Sequence, residues 1–97
     1  MIRGVTSKEQ DIIKNILKDY PYSFYYYGSR VKGDYTKASD LDILLKADEK
    51  LPPAVLNELA RKFNESKIPY IVNIAEYICM NERFYKLIEP DLIAVFN

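Results

Sequence analysis

The sequence predicts an α/β or α+β layered domain built on one sheet. Three observations carry that reading. Two segments, one from Ser7 to Tyr20 and one from Pro52–Pro53 to about Asn64–Lys67, repeat apolar residues at helical spacing. Short apolar or aromatic runs of strand length lie between and after them. Gly, Pro and polar clusters punctuate their ends. The resulting order is helix, strand, loop, strand, helix, strand, helix, which suits helices layered on a sheet.

Each element follows from its residues. Ser7 opens the first helix, because Ser7-Lys8-Glu9-Gln10 fits a capping box. Ile12, Ile13, Ile16, Leu17 and Tyr20 make its apolar face, and Pro21 stops it. Ser23-Phe24-Tyr25-Tyr26-Tyr27 reads as an aromatic strand closed by Gly28. Residues 28–39 read as a polar loop with a helical turn near its start. Leu41, Ile43, Leu44 and Leu45 form the second strand, headed by Asp40 and Asp42. Pro52 and Pro53 stand where a helix can begin, and Val55, Leu56, Leu59, Ala60 and Phe63 continue it. Ile68 to Ala75 reads as a third strand carrying one polar residue, Asn73. Asn81 caps a last helix through Phe84, Leu87 and Ile88, which Pro90 closes. Leu92 to Phe96 is apolar but of no assigned type.

Composition bounds the function. A chain of 97 residues suits one domain, 1–97, with a thin core. Lys+Arg and Asp+Glu balance at 14 each, so nothing draws the chain broadly to nucleic acid or anionic lipid. The absence of His excludes a Ser-His-Asp triad and imidazole-based zinc sites. The single Cys79, among Tyr77, Ile78 and Met80, reads as a small buried apolar residue and not a nucleophile. Neither a leader at Met1–Val5 nor a membrane-length apolar run is present, which leads us to expect a soluble cytoplasmic protein.

The informative segment runs from Gly28 to Asp42. Asp40 and Asp42 are two apart at a strand head, so both carboxylates point the same way. Side by side they repel unless a cation lies between them, and Mg²⁺ suits few carboxylates while keeping room for water and phosphates. Gly28-Ser29 follows a strand directly, where Gly permits a sharp turn and the amides and Ser29 hydroxyl can donate to a phosphate. Arg30 and Lys32 add positive charge nearby. A phosphate turn beside a metal-binding carboxylate pair describes a phosphoryl or nucleotidyl transfer site. Either feature alone also fits a plain turn or a solvated strand end. The nine tyrosines read mainly as core and rim packing.

Gly28-Ser29, ten residues, then Asp40-Leu41-Asp42 resembles the signature of the minimal nucleotidyltransferases, in the polymerase β-like superfamily. The resemblance implies a small mixed β-sheet flanked by helices, with ATP and Mg²⁺ as substrate and cofactor. Asp40 and Asp42 would be catalytic and hold two Mg²⁺ ions. Gly28 and Ser29 would hold the β and γ phosphates, with Arg30 and Ser39 nearby. Small stand-alone members of this type often serve as the antitoxin of a toxin–antitoxin pair, adding AMP to a tyrosine of a helical HEPN-type RNase. One position departs from the pattern. The family usually carries a third carboxylate on the third strand, and Ile71-Val72-Asn73-Ile74-Ala75 puts Asn73 there. An amide has no charge and no basicity. Two readings therefore stand: an active protein adenylyltransferase, and a weakened relative that neutralises its partner by binding.

Overall fold

The computed structural model describes residues 2–96. Helix α1 spans Ser7–Leu17, and its cap is Thr6, one residue before the expected Ser7. The Thr6 hydroxyl accepts from the Glu9 N–H at 3.1 Å, and the Glu9 carboxylate accepts the Thr6 N–H at 3.0 Å. Two capping boxes overlap in the sequence, and the extended backbone at Thr6 selects the earlier one. Strand β1 (Ser23–Tyr27) and a single helical turn, α2 (Ser29–Lys32), follow. Strand β2 is Leu41–Lys46, and α3 is Pro53–Asn64 with proline in its first turn.

Strand β3 spans only Val72–Glu76, four residues shorter at its start than the apolar run suggests. The Ile68 N–H bonds to the Ser66 hydroxyl and Pro69 has no N–H, so this stretch is spent on a turn before pairing begins. Beyond β3 lie a 3₁₀ turn (Tyr77–Cys79), helix α4 (Glu82–Ile88) and a second 3₁₀ turn (Glu89–Asp91). Asn81 caps α4 as expected, its side chain accepting from the N–H groups of Arg83 and Phe84. The unassigned stretch contains a short strand, β4 (Ile93–Ala94).

The sheet order is β3-β2-β1-β4. Strands β2 and β3 run parallel, and β1 is antiparallel to both β2 and β4. The sheet is therefore mixed and helix-flanked. Phe24, Tyr26, Leu41, Ile43 and Leu45 bury one face against Ile13 and Leu17 of α1 and Leu59 and Phe63 of α3. Each such side chain contributes about 1.5–3 kcal/mol on burial, so this face holds the fold. The Tyr26 hydroxyl is buried there without a partner, and desolvation pushes it up to about 12.

The other face carries Tyr25, Tyr27, Asp42, Leu44, Lys46 and Asn73. Helix α4 lies over it through Tyr27–Phe84 and Lys46–Tyr85 contacts, yet no α4 residue is buried. Cys79 corrects an expectation. It sits on the outward side of a 3₁₀ turn and is exposed. Its apolar neighbours Tyr77 and Ile78 are exposed on the same turn, so they give it no cover.

Candidate functional site

Strand pairing assembles the site. Tyr27 lies opposite Asp42, and Asp42 lies opposite Asn73, so the three form one row across β1, β2 and β3. Asp40, two residues earlier, projects on the same side. The Asn73 amide nitrogen donates to Asp40 Oδ2 at 3.0 Å and stands 3.5 Å from Asp42 Oδ1. One amide thus bridges two carboxylates. Desolvation raises the Asp42 pKa most, the Asp40 charge adds to this, and the Asn73 hydrogen bond opposes it. Tyr27 is raised by burial and then by the Asp42 charge. Glu76 faces the other side of β3 and accepts the Leu51 N–H at 2.9 Å, so it offers no third carboxylate. Among the described residues, no group of three acidic, His or Cys side chains converges on any point.

Gly28 brings the turn against this pair. Its φ of 87° lies in the left-handed region, and a Cβ there would run into the Asp42 carboxylate. The turn is closed by Val31 and Lys32 N–H groups donating to the Gly28 carbonyl, both at 3.1 Å. The amides of Ser29 and Arg30, first in the turn, have no partner within it. The turn lies beside the Asp42 carboxylate, and Asn73 bridges Asp42 to Asp40. This donor set fits Mg²⁺, which takes oxygen ligands and keeps positions for phosphate. Asp40 and Asp42 would hold the ion, and a turned Asn73 amide would add a neutral oxygen.

Arg30 and Ser39 belong to the neighbouring loop. Arg30 is 4% exposed, and its guanidinium donates to the carbonyls of Ser39, Gly4, Thr36 and Lys37. Its Cζ also lies over the Tyr70 ring, 3.7 Å from the centre, with the Tyr35 ring centre at 5.2 Å. The Ser39 hydroxyl accepts the Thr36 N–H at 2.9 Å. Both side chains shape the loop that delivers Asp40. Lys32 lines a cavity of about 310 Å³ together with Gly28, Ser29, Asp42 and Phe84.

Lys46 lies outside the Gly28–Asp42 motif. Its ammonium lies 4.9–5.1 Å from the ring centres of Tyr25, Tyr77 and Tyr85 and donates to the Tyr85 hydroxyl at 2.8 Å. That hydrogen bond is the main cause raising its pKa. Lys46 ties α4 to the sheet. Extending the Asp40, Asp42, Leu44 alternation by one step would have found it.

Comparison with known proteins agrees with this geometry. The nucleotidyltransferase domain family matches residues 10–94. The chain belongs to that family, a class of enzymes that transfer nucleotidyl groups. Over 93 residues it is 31% identical to a Haemophilus influenzae protein named "Probable protein adenylyltransferase MntA", covering 94% of this chain and 82% of that one. A crystal structure of a toxin–antitoxin with AMP-PNP shares the fold at a TM-score of 0.75 and 21% identity, over 91% of this chain and 73% of that one. The family match and the adenylyltransferase relative place the chain among the nucleotidyltransferases, and the toxin–antitoxin structure shares its fold. Among the described residues no helix is long and apolar enough to cross a membrane.

Proposed function

We propose that the protein transfers AMP from Mg²⁺-ATP to a hydroxyl of a protein partner, a tyrosine of a HEPN-type toxin, and so acts as an antitoxin. The carrying observation is the juxtaposition of Gly28-Ser29 with Asp40 and Asp42 on one sheet face. The likeness to a protein adenylyltransferase supports the choice of a protein acceptor. Asp40 and Asp42 hold the cation against the nucleotide. The Ser29 hydroxyl and the turn amides hold the β and γ phosphates. Arg30 and Ser39 act one step removed, by fixing the loop that ends at Asp40. A Mg²⁺ ion held by Asp40 and Asp42 would supply charge neutralisation at the α-phosphate and would lower the pKa of the acceptor hydroxyl. The acceptor oxygen bonds to the α-phosphorus, pyrophosphate leaves, and the acceptor proton passes to water. No imidazole is needed.

A second reading rests on Asn73. Its amide occupies the place of a third carboxylate and already satisfies the other two. A chain so altered would bind nucleotide and neutralise its partner by contact. Labelled ATP separates the readings. Label at the α-phosphate appearing on the partner, with none from the γ-phosphate, supports nucleotidyl transfer. Tight partner binding without any transfer supports the binder. The cytoplasm is the compartment that supplies both ATP and such a partner.

A further inference from the structure

Helix α4 poses a packing problem that the catalytic groups do not solve. In α1 and α3 the apolar residues Ile13, Leu17, Leu59 and Phe63 are almost wholly buried. In α4, Phe84 is 45% and Leu87 69% exposed. Two large apolar side chains on a two-turn helix face open space, although Lys46 and Tyr85 hold that helix in place. Phe84 meets Tyr27 nearly at right angles, 77° with ring centres 6.3 Å apart, and much of its surface stays uncovered. Between this helix and the β1–α2 turn lies the cavity of about 310 Å³. Gly28, Ser29 and Asp42 line one side, and Phe84, Leu87 and Asp91 line the other.

We propose that this cavity takes the nucleoside half of the nucleotide, with the base against Phe84 and Leu87. The inference rests on the nucleotide reading of the Gly28–Asp42 site and assigns the part of the ligand which that site leaves unplaced. Continuity decides the occupant. The same space touches the phosphate turn and the apolar helix face, so one ligand with a polar and a flat apolar end spans both. Its volume lies at the small end of ligand pockets, about 300–1,000 Å³, and a helix of about 10–12 Å diameter does not fit inside it. Asp91 gives the far end an acceptor for a ribose hydroxyl or a base amino group, and its charge disfavours phosphate there.

The test titrates ATP and inorganic tripolyphosphate, each with Mg²⁺, into the full chain by calorimetry. Base–aromatic contact is worth about 1–3 kcal/mol on alanine substitution, so Phe84→Ala should weaken ATP about tenfold or more. Tripolyphosphate affinity should not change. Leu87→Gln, at an exposed position that carries no folding risk, should weaken ATP severalfold and again spare tripolyphosphate. Ser29→Ala should weaken both ligands. If both α4 variants keep wild-type ATP affinity while the wild type binds ATP, the base lies elsewhere and this proposal fails, although the nucleotide reading survives. Loss of partner binding with unchanged ATP affinity would overturn it too, making α4 a protein-docking face. If the wild type binds neither ligand, the nucleotide reading fails and takes this inference with it.

Discussion

Strand β2 has two faces, and they do different work. Leu41, Ile43 and Leu45 point into the α1–α3 core and are 0–1% exposed. Asp40, Asp42 and Lys46 alternate with them and meet polar or aromatic partners on the other face. On the core face, apolar burial fixes register, because a slip of one residue would put carboxylates in the core. On the other face the same register aligns Tyr27, Asp42 and Asn73 in one row. Packing on one side therefore sets the geometry of the chemistry on the other. The helices repeat the contrast: α1 and α3 are buried anchors, whereas α4 is held by contacts and leaves its apolar residues in the open.

Substitutions can break this contrast. The largest effect should come at Arg30, which ties the N-terminal segment to the loop that ends at Asp40. Arg30→Met would leave carbonyls of Gly4, Thr36, Lys37 and Ser39 without their charged donor, at a cost on the order of 3–5 kcal/mol. For a domain of this size each kcal/mol lowers Tm by roughly 4–8 °C, so thermal melting should show a fall well above 10 °C. Next, Leu59→Ala should cost about 2–5 kcal/mol in urea unfolding, whereas Leu87→Ala should stay within about 0.5 kcal/mol because its side chain is exposed. Equal effects would erase the difference between the helices.

Asn73→Asp sharpens the comparison on the site face. It replaces a donor to two carboxylates with a third like charge. Without Mg²⁺ the variant should melt lower than wild type by a few degrees, and added Mg²⁺ should restore it. Wild type should respond to Mg²⁺ less, and transfer activity should rise about tenfold in the variant. The smallest effect is alkaline. Tyr26 titrates near 12 in the fold and near 10 when unfolded, so the unfolded chain loses its proton first. Stability should therefore fall as pH rises above 10, and Tyr26→Phe should flatten that slope in urea titrations.

Much of this was legible from residue pattern. Helical spacing placed α1 and α3, the period of a strand put the Asp40 and Asp42 carboxylates on one side, and the Gly28-Ser29 to Asp42 spacing joined the turn to them through the family signature it resembles. What escaped depends on contacts distant in sequence. Arg30 reads as a phosphate ligand until the fold brings Gly4, 26 residues away, onto its guanidinium. Lys46 looks like a strand end until Tyr85, 39 residues on, closes over it. The short strand β4 gains its type only by pairing with Tyr25 and Tyr26. The overlapping capping boxes at Thr6 and Ser7 were a local ambiguity that backbone geometry resolved.

The central claim is that two carboxylates and an amide on one face of the sheet suffice for nucleotidyl transfer to a protein. The direct test is intact-mass measurement of a helical toxin partner after incubation with this chain, ATP and Mg²⁺. The account predicts AMP-sized additions with wild type, more with Asn73→Asp, and none with Asp42→Ala. No addition with wild type, together with addition by Asn73→Asp, would contradict it and leave a protein that binds its partner without modifying it.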